Sequence, residues 1–95
     1  MNRVKAKPTV QVDNERTTVT EWRFPVGAET GWHRHEYDYI VVPGRDGELL
    51  IEGDDGVERI SELAAGVSYF RNAGVEHNVV NNNNFEFSFV EIEIK

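Results

Sequence analysis

Ninety-five residues, 39% hydrophobic and 11% aromatic, suffice for one small core and predict a single domain spanning 1–95. The net charge of −7, from seventeen acidic and ten basic residues spread along the chain, repels a phosphate backbone and sets nucleic acid aside as a partner. With no cysteine there is no disulfide framework, thiolate metal site or cysteine nucleophile.

No apolar run reaches the roughly eighteen residues of a membrane span. The basic start, Met1 to Lys7, has no apolar segment behind it and does not read as a signal peptide, so the expected location is cytoplasmic. A core this small leaves apolar surface wet, which predicts a homodimer.

In chain order, residues 1–8 read as a loose N-terminal arm closed by Pro8. Thr9 to Val12 alternates and is rich in β-branched residues, hence a strand, and Asp13-Asn14-Glu15 is a turn. Arg16 to Phe24 is a longer strand with Val19, Glu21 and Arg23 on one face and Thr18, Thr20, Trp22 and Phe24 on the other. Pro25-Val26-Gly27 breaks it. A strand follows up to Val42, then a turn over 43–47, a strand over 48–52, and a hairpin turn at Gly53-Asp54-Asp55-Gly56 with its partner strand over 57–63. Short extended segments over 68–71 and 76–80 are separated by Asn72-Ala73-Gly74, and four asparagines, 81–84, turn into the last strand, 85–95. Along that strand the apolar parity changes from Phe85, Phe87 and Phe89 to Val90, Ile92 and Ile94, which predicts a β-bulge near Phe89-Val90 or a strand crossing between sheets. No window has convincing helical periodicity. Ser61 to Ala65 is the best and is too short to stand alone. Many short strands with frequent turns predict an all-β sandwich or barrel.

Two glycine-punctuated segments hold every histidine: Gly27 to Gly47 carries His33 and His35, and Gly66 to Asn81 carries His77. Period two puts His33 and His35 on one face of an extended segment, and a second strand can bring His77 opposite. Neutral imidazole is the commonest protein ligand for zinc and suits iron, nickel and copper.

These two segments resemble the paired motifs of the cupin superfamily. The first motif runs glycine, five residues, His-x-His, three or four residues, Glu, six residues, glycine, and Gly27, His33 and His35 match it. The second runs glycine, five residues, Pro-x-Gly, two residues, His, three residues, Asn, and Gly66, Gly74, His77 and Asn81 match, with Asn72 in the proline position. The chain is similar to short single-domain cupins labelled β-alanine degradation proteins, and the resemblance covers about residues 20–90. It implies a jelly-roll β-barrel (a double-stranded β-helix) with little or no helix, often homodimeric, and a divalent metal (Fe, Zn, Mn or Ni) held by His33, His35 and His77.

The family glutamate is missing: its position falls on Tyr39 or Ile40. Three neutral ligands leave a divalent ion its full charge, which favours an anionic substrate or a deprotonated water. Some cupin thiol dioxygenases also use three histidines without the glutamate. Tyr39 and Tyr37 share the parity of the histidines and are the candidate catalytic residues, as hydrogen-bond donors or phenols near the metal. Arg71 is either a pocket cation for a substrate carboxylate or, by preference, an exposed arginine. Asn81 reads as a turn cap, Gly27, Gly44, Gly66 and Gly74 as turn glycines, and the Phe85-Phe87-Phe89 stripe as core or dimer interface. Two functions follow: a small metal-dependent enzyme, dioxygenase-like or Lewis-acid, on a small anionic metabolite, or a metabolite- or metal-binding barrel without turnover in a catabolic pathway.

Overall fold

Apolar residues alternating with polar ones give a pleated ribbon one face to bury and one to wet. The computed structural model, which describes residues 3–95, forms nine such strands: β1 (Lys7–Asp13), β2 (Thr17–Phe24), β3 (His33–Arg34), β4 (Asp38–Pro43), β5 (Gly47–Gly53), β6 (Glu58–Leu63), β7 (Tyr69–Arg71), β8 (Glu76–Val80) and β9 (Phe87–Ile94). They make a five-stranded sheet ordered β1-β2-β9-β4-β7 and a four-stranded sheet ordered β3-β8-β5-β6, with every pairing antiparallel. No helix occurs among the described residues.

The core lies between the sheets. Thr20 and Phe24 of β2, Tyr39 and Val41 of β4, and Phe87 and Phe89 of β9 are buried on alternate positions, and Leu49 of β5 and Val79 of β8 meet them from the other sheet. Phe24 and Phe89 lie tilted against each other, ring centroids 5.4 Å apart. The four-asparagine turn is stitched to this core by Asn81. Its fully buried amide donates to the carbonyls of Phe24 (3.0 Å) and Phe85 (2.9 Å).

Four expectations are corrected. The N-terminal arm is not loose where it is described. Lys7 already belongs to β1, Ala6 is buried and donates its N–H to the Glu29 carbonyl (2.8 Å), and the Val4 carbonyl accepts from Glu29 N–H (2.9 Å). Met1 and Asn2 lie outside the described residues.

The last strand has no bulge. Its register runs unbroken from Thr17↔Ile94 to Phe24↔Phe87 on one side and from Asp38↔Ile94 to Pro43↔Phe89 on the other. Ladders on both edges fix the strand, so the change of parity is a change of residue type: Val90, Ile92 and Ile94 stay on the outer face, and Glu91 takes the inward position after Phe87 and Phe89. The irregularity of this sheet lies in β1, between Val10 and Val12.

The first histidine segment is not one strand. It bends at Glu36 and Tyr37, so that β3 joins the four-stranded sheet and β4 the five-stranded one.

Gly44 also departs from a simple turn role. A Cβ there would lie 2.8 Å from Ser88 Oγ and 3.1 Å from the Ser88 carbonyl oxygen, so close strand approach requires glycine.

Candidate metal centre

The β3–β8 pairing sets His33 directly opposite His77. His35 continues the ladder beyond the strand end: its N–H donates to the Val75 carbonyl (2.9 Å) and its carbonyl accepts from Gly74 N–H (2.8 Å). Backbone hydrogen bonds thus fix all three positions before any ligand is considered.

The three rings meet edge to face, with His35 Nε2 3.0 Å from His33 Nε2 and 3.2 Å from His77 Nε2. A metal about 2.1 Å from each of two nitrogens, at ordinary coordination angles, separates them by about 3.0–3.4 Å, so the donor set fits a divalent ion. Protonation agrees. His33 Nδ1 lies 2.9 Å from the Gly31 carbonyl, which can only accept; the proton therefore sits on Nδ1 and the Nε2 lone pair is free. Burial, with the His33 ring adding, pushes His35 down to about 4 and His77 down to about 3, which keeps both neutral near pH 7, as a ligand must be.

A buried amide supports this end. Asn78 accepts from Gly31 N–H (2.9 Å) and donates to Glu29 (2.7 Å) and Glu52 (2.8 Å), both of which also pair with Arg3. Gly31 itself has φ +90°, a left-handed conformation open to glycine, and this aims its carbonyl at His33.

The histidines line a cavity of about 360 Å³ whose other walls include Val41, Leu49, Ile51, Val79 and Phe89. Tyr39 is buried and stacks on His35, ring centroids 3.8 Å apart and 17° from parallel. Burial and the Glu91 carboxylate raise its phenol above the ordinary value, so Tyr39 holds its proton. Glu91 is buried, with Oε1 3.6 Å from His35 Nδ1. Burial and then the Glu93 carboxylate push it up to about 7, against a hydrogen bond from Trp22 that lowers it.

Two cations also line the cavity. The Arg59 guanidinium is paired with Asp55 at 2.8 Å, whereas Arg71 lies over the Tyr69 ring and donates only to the Phe70 carbonyl. Among the described residues, Arg71 is therefore a cavity cation without a carboxylate partner.

The structure brings together His33, His35, His77 and Tyr39. It does not bring in Tyr37, which sits on the bend between β3 and β4, is 41% exposed and lies outside the cavity. The bend breaks the parity that linked it to the histidines. Arg71 is exposed and lines the cavity at once. Sequence reasoning missed Glu91. The alternation from Phe87 through Phe89 pointed to it, but the apolar residues on either side drew attention to the other parity. Nothing in the sequence marked Asn78 or Gly31.

Comparison with known proteins accords with this geometry. A family model described as the cupin domain matches residues 20–93, and the chain belongs to the cupin family. It is 60% identical over 93 residues to the β-alanine degradation protein BauB of Pseudomonas aeruginosa, covering 98% of this chain and 97% of that one. Among solved structures, a cupin domain protein of Bordetella pertussis superposes with a TM-score of 0.97 at 62% identity, covering 100% of this chain and 98% of the other. A double-stranded β-helix protein of Klebsiella pneumoniae has a TM-score of 0.76 at 21% identity over 95% of this chain and 76% of the other, a likeness of fold alone. The two sheets are those of a cupin jelly-roll barrel.

Proposed function

We propose that this cupin holds a divalent metal on His33, His35 and His77 and uses the adjoining cavity to bind a small carboxylate-bearing metabolite for metal-dependent chemistry. The observation that carries the reading is the convergence of three imidazoles on the cavity wall, with His35 Nε2 at metal-ligand separation from the Nε2 atoms of both His33 and His77. The bound ion, Fe, Zn, Mn or Ni, supplies Lewis acidity or, for a redox-active metal, electron transfer. The chain's own residues supply the rest. Arg71 offers its guanidinium to a carboxylate. The apolar walls exclude water and take the carbon skeleton. The Tyr39 hydroxyl donates a hydrogen bond without ionising, and Glu91, with its pKa near 7, can hold or release a proton close to neutrality. Similarity to a β-alanine degradation protein supports a place in the catabolism of small amino-acid-derived carboxylates.

A second reading, binding without turnover, is favoured by Tyr39, which occupies the expected carboxylate position and stacks on His35. Elemental analysis of untagged protein, wild type beside His77→Ala, tests the metal. Near-stoichiometric metal in the wild type and little in a folded His77→Ala supports the site; no metal in either after soaking with Fe(II), Zn(II), Mn(II) and Ni(II) removes it. With metal established, a carboxylate recovered unchanged after stoichiometric binding would point to the second reading.

A further inference from the structure

The registers of the two sheets stack the cavity lining in three tiers, because alternate residues of a strand face the same way. In the first tier His33 lies opposite His77 on one sheet and Tyr39 opposite Arg71 on the other. Two residues further along each strand, about 7 Å away, Val79 pairs with Ile51 and Val41 with Tyr69. Two residues beyond these, Leu49 pairs with Ser61 and Phe89 with Trp22. All of these residues line the cavity.

Polarity falls from tier to tier. The first carries the imidazoles and Arg71, which among the described residues has no carboxylate partner. The second meets two ionisable side chains, and both are turned elsewhere. Arg59, opposite Ile51, pairs with Asp55 in the hairpin turn (2.8 Å), and Glu91, opposite Val41, holds Oε1 3.6 Å from His35 Nδ1, towards the first tier. The four residues of the third tier have no ionisable group, and two of them, Leu49 and Phe89, are buried in the core between the sheets. A charge brought down to this tier sheds its water and meets no opposite charge, whereas an apolar group is favoured there. The cavity, about 360 Å³, has room for roughly twelve water-sized groups, more than acetate or propionate fills.

We infer that the ligand of this cavity is a monocarboxylate with an uncharged, apolar tail of several carbons. The inference rests on the carboxylate-binding reading above and adds what the far end of the molecule must be. The carboxylate sits at the first tier, on Arg71 beside the histidines, and the tail runs down between the sheets to Leu49 and Phe89. Dicarboxylates and ω-amino acids share the head and are refused at the tail.

Titrations followed by amide chemical shifts test this, on protein loaded with redox-inert Zn(II) and on metal-free protein. From acetate through butyrate to hexanoate, affinity is expected to rise about fourfold per CH2 group in both forms, since the tail and not the metal supplies the gain. Hexanoate is expected to bind about tenfold or more tighter than adipate or 6-aminohexanoate. Arg71→Gln is expected to weaken every acid by one factor and to leave the dependence on length intact. Ser61→Asp, which puts a carboxylate in the third tier, is expected to flatten that dependence and to favour 6-aminohexanoate over hexanoate; should it not fold, the ligand series on the wild type decides alone. Equal affinity along the series, or adipate or 6-aminohexanoate bound as tightly as hexanoate, overturns the apolar tail and leaves the carboxylate at Arg71 standing. Acids bound as tightly by Arg71→Gln as by the wild type, or not bound by either form of the wild type, overturn the carboxylate reading and the head-first orientation with it.

Discussion

Glu91 and the two most buried histidines pull the pH dependence of the metal-free protein in opposite directions. Glu91 is pushed from 4.5 up to about 7, so between those values the folded protein keeps a proton that the unfolded chain has released. Its contribution to stability therefore falls as pH rises through that window, by on the order of 3 kcal/mol in full. His35 and His77 are pushed from 6.5 down to about 4 and about 3, so below pH 6.5 the unfolded chain takes up protons the folded one refuses, and stability falls as pH falls. Glu91→Gln is expected to change stability little at pH 4 and to raise it relative to wild type at pH 8, in urea titrations of metal-free protein. An equal change at both values would show that the buried carboxyl does not hold its proton.

Asn81→Ala is expected to cost on the order of 3 kcal/mol in the same titration, since it leaves the Phe24 and Phe85 carbonyls without their donor inside the core. At this scale the histidines were legible because their types and spacing are rare in combination. Glu91 was hidden because a glutamate between valine and isoleucine reads as the solvent face of a strand.

Among the elements, β1 and the residues before it answer differently from a loose arm. Val4 and Ala6 bracket Glu29 by backbone hydrogen bonds, and Arg3 ties Glu29 to Glu52. The chain so braced leads directly to Gly31, whose carbonyl orients His33. Deleting residues 1–6 is expected to leave a folded domain, to cost about 2 kcal/mol for two backbone hydrogen bonds, and to weaken Zn(II) affinity about tenfold in a calorimetric titration. Unchanged affinity would mean the bracing does not reach the site.

Most strands and the hairpin turn at Gly53–Gly56 could be read from alternation and turn residues. The bend at Glu36-Tyr37 could not, because its cause is tertiary: β3 and β4 are claimed by different sheets, and no local breaker announces the division. That one unseen bend is also why Tyr37 was grouped with the histidines.

For the whole molecule, a ligand that binds only the folded state stabilises it by mass action. Metal at a hundred times its dissociation constant adds about 2.7 kcal/mol, or roughly 10–20 °C in Tm for a domain of this size. Wild type is expected to show such a rise with a preferred divalent ion in a thermal melt, and His77→Ala none. The all-β class was evident in the sequence, and the strand count fell one short because the histidine segment is two strands, β3 and β4. The sheet order was not: β9, last in the chain, lies between β2 and β4, and only non-local pairing decides that.

The short crossing from His35 to Tyr39 has a consequence for timescale. The histidines are anchored to the four-stranded sheet and Tyr39 to the five-stranded one, yet only three residues separate His35 from Tyr39 and their rings stack at 3.8 Å. At this point the walls of the cavity are covalently joined and cannot swing apart as hinged halves. Ligand entry falls instead to exposed side chains of the lining, Arg59 and Arg71, whose rotamers change in picoseconds to nanoseconds. Admission should thus proceed without the microsecond-to-millisecond opening that governs enzymes with moving domains, and backbone relaxation dispersion across β4 and β8 is expected to be flat.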